Sequence, residues 1–316
     1  MSVPEHRPVM PEAVMEHLRP RPGETCVDGT VGGGAHSELI LDHSGPDSRL
    51  IGLDRDPAQL ALAADRLARF GERVALVRAR YEDVLDALSS VDIDSGIDGM
   101  LIDCGPSLDQ LAGRTTGRGR GFSWRADDEP LLMTYDPDQP RSARSVLANA
   151  GEQELLEVFG RTLRGGEVRA VVRAIMRERE REPIETAGRL TEVMRRALAF
   201  KGPVVEKRIA AGYLGLRIEV NDELGGLERG IDAAVAALRP GGRLVILSFH
   251  GLEHQLVRGK LRELAGGPTG PPRLIGAPER EAKVQVMTPR PLFPTEEEIS
   301  SNPAARSARL HAAVRV

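Results

Sequence analysis

The chain has 316 residues, 41% hydrophobic and 28% charged, with a formal net charge of −4. That length exceeds one typical domain and the apolar content supplies an ample core, so one main domain with an addition is expected. No apolar run reaches the length of a membrane span and the start, MSVPEHRPVMPEAV, has no signal-peptide apolar region, which argues against a membrane enzyme and for a cytoplasmic one.

The first apolar run, ETCV at 24–27, reads as a short buried strand leading into VDGTVGGGAHS at 27–37. Gly29, Gly32, Gly33 and Gly34 place a turn without side-chain bulk between that strand and a helix starting at Ser37, with Leu39, Ile40 and Leu41 on its apolar spacing. In open α/β sheets a turn at a strand's carboxyl end lines a ligand crevice. Alone, it also serves as a tight connection and nothing more. The next strand, within LIGLDRDP at 50–57, ends on Asp54, 22 residues after Gly32, where a carboxylate can accept hydrogen bonds from both hydroxyls of a ribose. Together these signals imply an adenosine-bearing ligand. The glycines do not spell GxGxxG and no lysine-containing phosphate loop is present, so neither NAD nor ATP comes first, and a nicotinamide-dependent oxidoreductase is disfavoured. Asp28 would repel a pyrophosphate and suits the cationic ammonium and sulfonium of S-adenosylmethionine.

Further strands fall near 73–78, 97–103 and 243–249, with helices near 57–70 and 222–238, the alternation of a parallel α/β sheet. Cys26 and Cys104 lie in these strands with no Cys-x-x-Cys or histidine-rich companion, so neither a disulfide framework nor a zinc or other metal site is expected. The fourth and fifth strands are separated by far more residues than a crossover requires. A mostly helical unit is therefore inserted at 107–215, with helices at 152–163, 167–181 and 185–199, and the main domain is 1–106 with 216–316. KVQVMT at 283–288 and ARLHAAVRV at 308–316 are strand candidates that close the sheet antiparallel, and the Gly/Pro-rich 267–280 reads as a loop. Residues 106–220 hold 20 Lys and Arg against 17 Asp and Glu, the rest 23 against 30, so the insertion is the more basic part. Within it, LAGRTTGRGRGFSWRA carries Arg114, Arg118, Arg120 and Arg125 beside Phe122 and the single tryptophan, Trp124. That stretch offers phosphate contacts and stacking planes for unstacked bases, or it is a solvated loop anchored by one aromatic. RERERE at 177–182 reads as a solvated helix face with internal ion pairs.

HRPVM near the start, VDGTVGGGAHS, IGLDRDP, GIDGMLIDCG followed by Gln110, RGFSW, RIEVNDEL, LRPGGRLVILSFHGLE and NPAARSARL together resemble the RsmH (MraW) methyltransferases, in order and spacing from His6 onward. The resemblance implies a Rossmann-like class I methyltransferase sheet with an inserted mostly helical domain, which uses S-adenosylmethionine to methylate N4 of a cytidine in the decoding region of small-subunit ribosomal RNA. The implied partner is that RNA or the assembling small ribosomal subunit, with a homodimer left open. By motif, the family's cofactor contacts fall on Gly34, Ala35, His36, Asp54, Tyr81, Asp103 and Gln110, beside Asp28 and Gly32 of the same region. Ala35 stands where the family has glycine. Tyr81 stands where phenylalanine is common, and its ring can stack along an adenine or pack beside the third strand. His36 reads as a hydrogen-bonding group at a helix start in preference to a proton carrier.

A cytosine N4 amine is a poor nucleophile, its lone pair delocalised into the ring. Methyl transfer from a sulfonium needs in-line approach, so positioning and desolvation carry most of the acceleration. Asp103, ending the fourth strand, is the first candidate to accept a hydrogen bond from that amine, with His6 and His250 ranked below it. RNA contacts are expected from Arg118, Arg120, Trp124, Lys207 and Arg208. The sequence departs from the family pattern at Leu132, where an acid is usual, and at Thr134 and Ala211, where arginines are usual. These departures make a catalytically weakened or retargeted S-adenosylmethionine- and RNA-binding relative the alternative.

Overall fold

The computed structural model describes residues 7–111, 119–268 and 279–316, so His6, Arg114, Arg118 and most of the Gly/Pro-rich loop lie outside the described residues. In chain order the elements are α1 (Pro11–Leu18), β1 (Thr25–Asp28), α2 (Ala35–His43), β2 (Arg49–Asp54), α3 (Pro57–Leu67), β3 (Val74–Arg78), α4 (Val84–Ser89) and β4 (Ile97–Asp103). Then come α5 (Leu108–Leu111), α6 (Ala143–Asn149), α7 (Glu152–Gly160), α8 (Gly166–Arg179), α9 (Ala187–Ala197), α10 (Val205–Asn221) and α11 (Glu223–Ala237). The chain continues with β5 (Leu238–Ser248), α12 (Gly251–Leu264), the paired two-residue strands β6 (Gly267–Pro268) and β7 (Glu279–Arg280), β8 (Val284–Val286), α13 (Glu296–Ser301) and β9 (Arg309–Arg315).

Seven strands form one sheet in the order β3-β2-β1-β4-β5-β9-β8. The neighbouring pairs from β3 to β5 are parallel, β9 runs antiparallel to β5, and β8 antiparallel to β9. The tail thus supplies both expected strands. The chain winds outward from β1 to β3 and returns to β4 on the other side of β1, which makes the carboxyl ends of β1 and β4 the switch point where open sheets bind ligands. Alternation along the strands divides the core. Leu50, Leu101 and Val245 pack with Val14, Leu18, Ile40 and Leu67 of α1 to α3, whereas Ile51, Leu53, Met100, Ile102 and Ile246 pack with Leu88, Ile231, Val257 and Leu261 of α4, α11 and α12. A sheet covered on both faces needs near-continuous apolar strands, which is what β2, β4 and β5 provide.

Contacts divide the chain into two compact units, Met1–Gly105 with Leu224–Val316, and Pro106–Glu223. The return crossing falls at Glu223 and not at 215, because α10 is one continuous helix whose Ile209, Tyr213, Leu216 and Val220 belong to the second unit's core. That core also takes Leu147, Leu155, Phe159, Val171, Ile175, Leu190 and Met194 from α6 to α9. Helix starts there follow side-chain chemistry: Ser142 and Ser145 form a reciprocal cap on α6, and Thr186 accepts the Arg189 N–H at 3.2 Å to start α9. The RERERE face is cross-linked to neighbouring elements. Glu178 pairs with Arg189 and Arg196 of α9, and Arg179 donates to the carbonyls of Leu147 and Ala150 at 3.1 and 2.7 Å.

Candidate functional site

The glycine turn is held tightly at the sheet edge. After β1, Gly29 N–H donates to Leu101 O and Val31 N–H to Leu53 O, both at 2.8 Å, so the turn is bonded to the strands on either side. A Cβ at Gly29 would lie 2.9 Å from Met100 Cε and 3.0 Å from Tyr81 Cβ, so a larger residue would have to displace the Met100 methyl and crowd Tyr81. Gly34, at φ +82°, takes the left-handed conformation that launches α2, with Ala35 as its first residue. Gly32 N–H donates to Asp54 Oδ2 at 3.0 Å, which joins the two halves of the sequence signal physically.

Four expected cofactor residues, Asp28, His36, Asp54 and Asp103, bring their ionisable groups to this edge. Asp28 is 1% exposed, and its carboxylate accepts from Ser37 Oγ at 2.7 Å and Thr30 N–H at 3.2 Å. Burial pushes its carboxyl up to about 6 against those two bonds. So enclosed, Asp28 places a carboxylate in a poorly screened position beside the glycine turn. Asp54 is half-buried, accepts from Gly32 N–H and, at 2.9 Å, from Asp56 N–H, and is likewise raised by burial to about 6. A carboxylate has about four acceptor positions. Two remain on Asp54 for paired hydroxyls.

Asp103 ends β4 with its N–H donated to Thr30 Oγ1 at 2.8 Å. Its Oδ2 lies 3.6 Å from His36 Nδ1, and its buried Oδ1 has no hydrogen-bond partner among the described residues. Burial raises its carboxyl well above the ordinary range, and the nearby charges of Asp28 and Glu253 push the same way. An unsatisfied acceptor in a cluster of buried carboxylates suits a cationic ligand. These carboxylate acceptors, Asp54 beside the acidic crevice of Asp28 and Asp103, fit the ribose hydroxyls and the positive charge of S-adenosylmethionine. His36 is 7% exposed and its Nε2 lies 2.9 Å from Val9 O.

Tyr81 is half-buried beside β3, packs with the core, and approaches α11 where Gly230 leaves room: a Cβ there would be 2.4 Å from the ring. Packing is thus an observed part of its role. His250 starts α12, accepting the Glu253 N–H at Nδ1 over 3.3 Å while Glu253 accepts the Phe249 and His250 N–H groups at 2.7 and 3.2 Å. That cap gives His250 a structural duty. Gln110, in the second unit, is buried and its Oε1 accepts the Ser107 N–H at 3.0 Å. Thr30, Ser37 and Glu253 were not singled out in the sequence. The capping pattern from His250 to Glu253 is the signal that finds the last of them.

In the second unit the expected RNA residues separate by burial. Arg120 is 6% exposed, its Nη1 donating to the carbonyls of Thr134 and Tyr135 at 3.2 and 2.8 Å. The phosphate contact expected of it is corrected, since a guanidinium consumed inside the fold cannot track a backbone. Trp124 is half-buried against the helical core, with the Arg125 guanidinium 4.6 Å above its ring. Lys207 is exposed, whereas Arg208 sits 3.3 Å from Glu167, which also holds Lys201 at 2.8 Å. Phe200, 64% exposed with Lys201 Nζ 5.7 Å from its ring centre, is an aromatic plane that no periodicity in the sequence marks.

Residues 4–316 match the MraW methylase family. The protein named ribosomal RNA small subunit methyltransferase H from Geobacter sulfurreducens is 40% identical, covering 98% of this chain and 98% of its own. Its namesake from Syntrophotalea carbinolica is 41% identical over 98% and 97%. Among solved structures, an rRNA methylase from Streptococcus thermophilus aligns with 97% of this chain and 93% of its own at 10% identity and a TM-score of 0.42.

Proposed function

Because the chain belongs to the MraW methylase family, we propose that it methylates N4 of a cytidine in small-subunit ribosomal RNA, using S-adenosylmethionine, in the cytoplasm where ribosomal subunits assemble. The observation that carries the reading is the row of carboxylates Asp28, Asp54 and Asp103 at the carboxyl edge of β1, β2 and β4, opened by the glycine turn. When bound, the cofactor supplies an electrophilic methyl group on a positively charged sulfur. Asp54 holds the ribose through its two remaining acceptor positions. Asp28 and Asp103 balance the positive charge in a site that burial makes poorly screened. Asp103 also accepts a hydrogen bond from the target amine, which localises the nitrogen lone pair and makes it a better nucleophile. Trp124, Phe200 and Lys207 supply stacking planes and a cation for a locally unpaired RNA segment. A base inside a duplex stack cannot approach the methyl group in line, so the substrate is single-stranded or flipped.

The test incubates the purified protein with methyl-labelled cofactor and either small-subunit particles or naked RNA, then identifies the labelled nucleoside. N4-methylated cytidine is the expected product, formed faster on particles. Label on a ring carbon, on a ribose hydroxyl or on protein alone would contradict the assignment.

A further inference from the structure

We propose that the sheet unit carries an RNA contact of its own beside the reaction edge: Arg309 and Arg258 hold phosphates of the strand leading away from the target cytidine, and the exposed ring of Phe293 stacks one of its unpaired bases. The inference rests on the functional reading above, from which it takes the place of the target base.

The position follows from strand register. Asp103 stands opposite Leu247 on β5, and the next residue, Ser248, stands opposite Arg309, the first residue of β9. Two strand spacings therefore separate the Asp103 and Arg309 backbones, roughly 10 Å along the carboxyl edge. Helix α12 leaves the same edge at Gly251, which puts His254 and Arg258 on its first turns. Phe293 follows Leu292, whose N–H and carbonyl both bond to Leu310 of β9 at 3.0 Å. Its ring is 63% exposed, with the Arg309 guanidinium 5.6 Å from the ring centre.

The charge of this corner is uncompensated. Arg258 is exposed and Arg309 half-buried, and no carboxylate pairs with either among the described residues. Their neighbours do find partners: Lys260 on the same helix holds Asp232 at 2.7 Å, and Glu263 faces Arg280 at 3.5 Å. Glu253, the carboxylate in the first turn of α12, is 2% exposed and accepts the Phe249 and His250 N–H groups. Burial, then the charges of Arg309 and Arg258, hold the His254 imidazole below its ordinary value, and His311 of β9 adjoins it at 3.1 Å.

The carboxyl edge is thus polarised. Asp28, Asp54 and Asp103 make one end acidic, which suits a sulfonium and repels phosphate, whereas Arg258 and Arg309 make the other end basic. A strand whose target base sits at Asp103 is turned away by the first end and drawn over the second. Guanidinium groups meet phosphate oxygens in pairs, and an exposed aromatic face stacks any base.

The full-length protein is titrated with a single-stranded segment of small-subunit ribosomal RNA over a salt series, as wild type, Arg258→Gln, Arg309→Gln, Phe293→Leu and, before β1 at the opposite edge, Arg21→Gln. Each of the first two variants is expected to lower the slope of log affinity against log salt by about 0.7. Phe293→Leu should weaken binding about tenfold without changing the slope, and Arg21→Gln should do neither. An unchanged slope in both Arg258→Gln and Arg309→Gln overturns the proposal, as does an equal fall in Arg21→Gln, which reports net charge alone. Should a variant not fold, NMR titration of the His254 ring in the wild type decides. A phosphate bound beside it raises its pKa, and no rise at RNA saturation overturns the contact. A polyglutamate peptide that moves the ring where RNA does not also overturns it, and gives the corner to an acidic protein. RNA binding with these slope changes but no methyl transfer sinks the functional reading and keeps the contact, whereas methyl transfer with unchanged slopes does the reverse.

Discussion

The Asp54 carboxylate is a burden to the empty fold and an asset to the occupied one. Its folded value, about 6, lies above the ordinary carboxylate value near 4, as does that of Asp28, so the folded chain holds more protons than the unfolded one between those limits. Their contribution to the ligand-free fold is therefore fully present below about pH 4 and lost as pH rises through about 6. A cationic ligand reverses the preference. S-adenosylmethionine affinity is expected to rise between pH 5 and 7, roughly tenfold for each carboxylate that must ionise, and calorimetry giving a flat profile would refute this. Asp54→Ala removes the acceptor of two ribose hydroxyls and should weaken binding by about 2 to 4 kcal/mol in the same measurement. Arg120→Ala tests the corrected role of that arginine. It leaves the carbonyls of Thr134 and Tyr135 without its guanidinium, so denaturant unfolding should show a loss of about 2 to 4 kcal/mol while the salt dependence of RNA binding stays unchanged. The sequence shows where Asp54 and Asp103 stand because strand ends are readable. It shows nothing of Arg120 facing inward, since a string of arginines between glycines looks the same whether solvated or buried.

At the level of elements, α12 meets β9 through two histidines. His254 Nδ1 lies 3.1 Å from His311 Nε2, and burial together with the neighbouring His254 and Arg309 holds His311 down at about 4. A depressed folded value means the unfolded chain takes up protons first. Stability from a neutral His311 is complete above about pH 6.5 and is lost as pH falls toward 4, by on the order of 3 kcal/mol. Comparing unfolding of wild type and His311→Phe at pH 7 and pH 5 isolates this contribution from that of the carboxylates. If the two proteins lose stability equally on acidification, the assignment fails. Strands β1 to β5 and helices α7 to α9 were legible because their apolar runs and periodicities are strong. Helix α10 was not assigned, for a physical reason: it is buried on more than one side. Ile209, Tyr213 and Leu216 are buried on one side while Ile218 and Asn221 are buried on the other, so the helix lacks the polar face that an amphipathic helix gives to solvent.

Over the whole molecule, the RNA contacts of Lys207 and Phe200 are assigned to the helical unit and cofactor chemistry to the sheet unit, so the two should be separable by mutation. Lys207→Ala is expected to lower the slope of log affinity against log salt for ribosomal RNA by about one, since each phosphate contact releases counterions. Phe200→Ala should cost about 1 to 3 kcal/mol of RNA binding with little change of slope, because stacking carries no charge. Neither should alter S-adenosylmethionine affinity, and a variant that changed both would contradict the separation. The outline of an insertion in a parallel sheet could be read from spacing, yet its return boundary could not, because no sequence feature at 215 or 223 reports which core a continuous helix joins. The sheet order also carries a consequence for biosynthesis. β9, last among the described strands in the order of translation, lies between β5 and β8, so the sheet stays open along β5 until residues 309–315 have left the ribosome. The helical unit is contiguous from Pro106 to Glu223 and has its own core, so it can fold well before that moment. Nascent chains arrested before Arg309 should therefore carry a protease-resistant helical unit beside an exposed strand edge that invites chaperones, and the newborn enzyme becomes able to modify ribosomal RNA only after β9 has emerged and paired with β5.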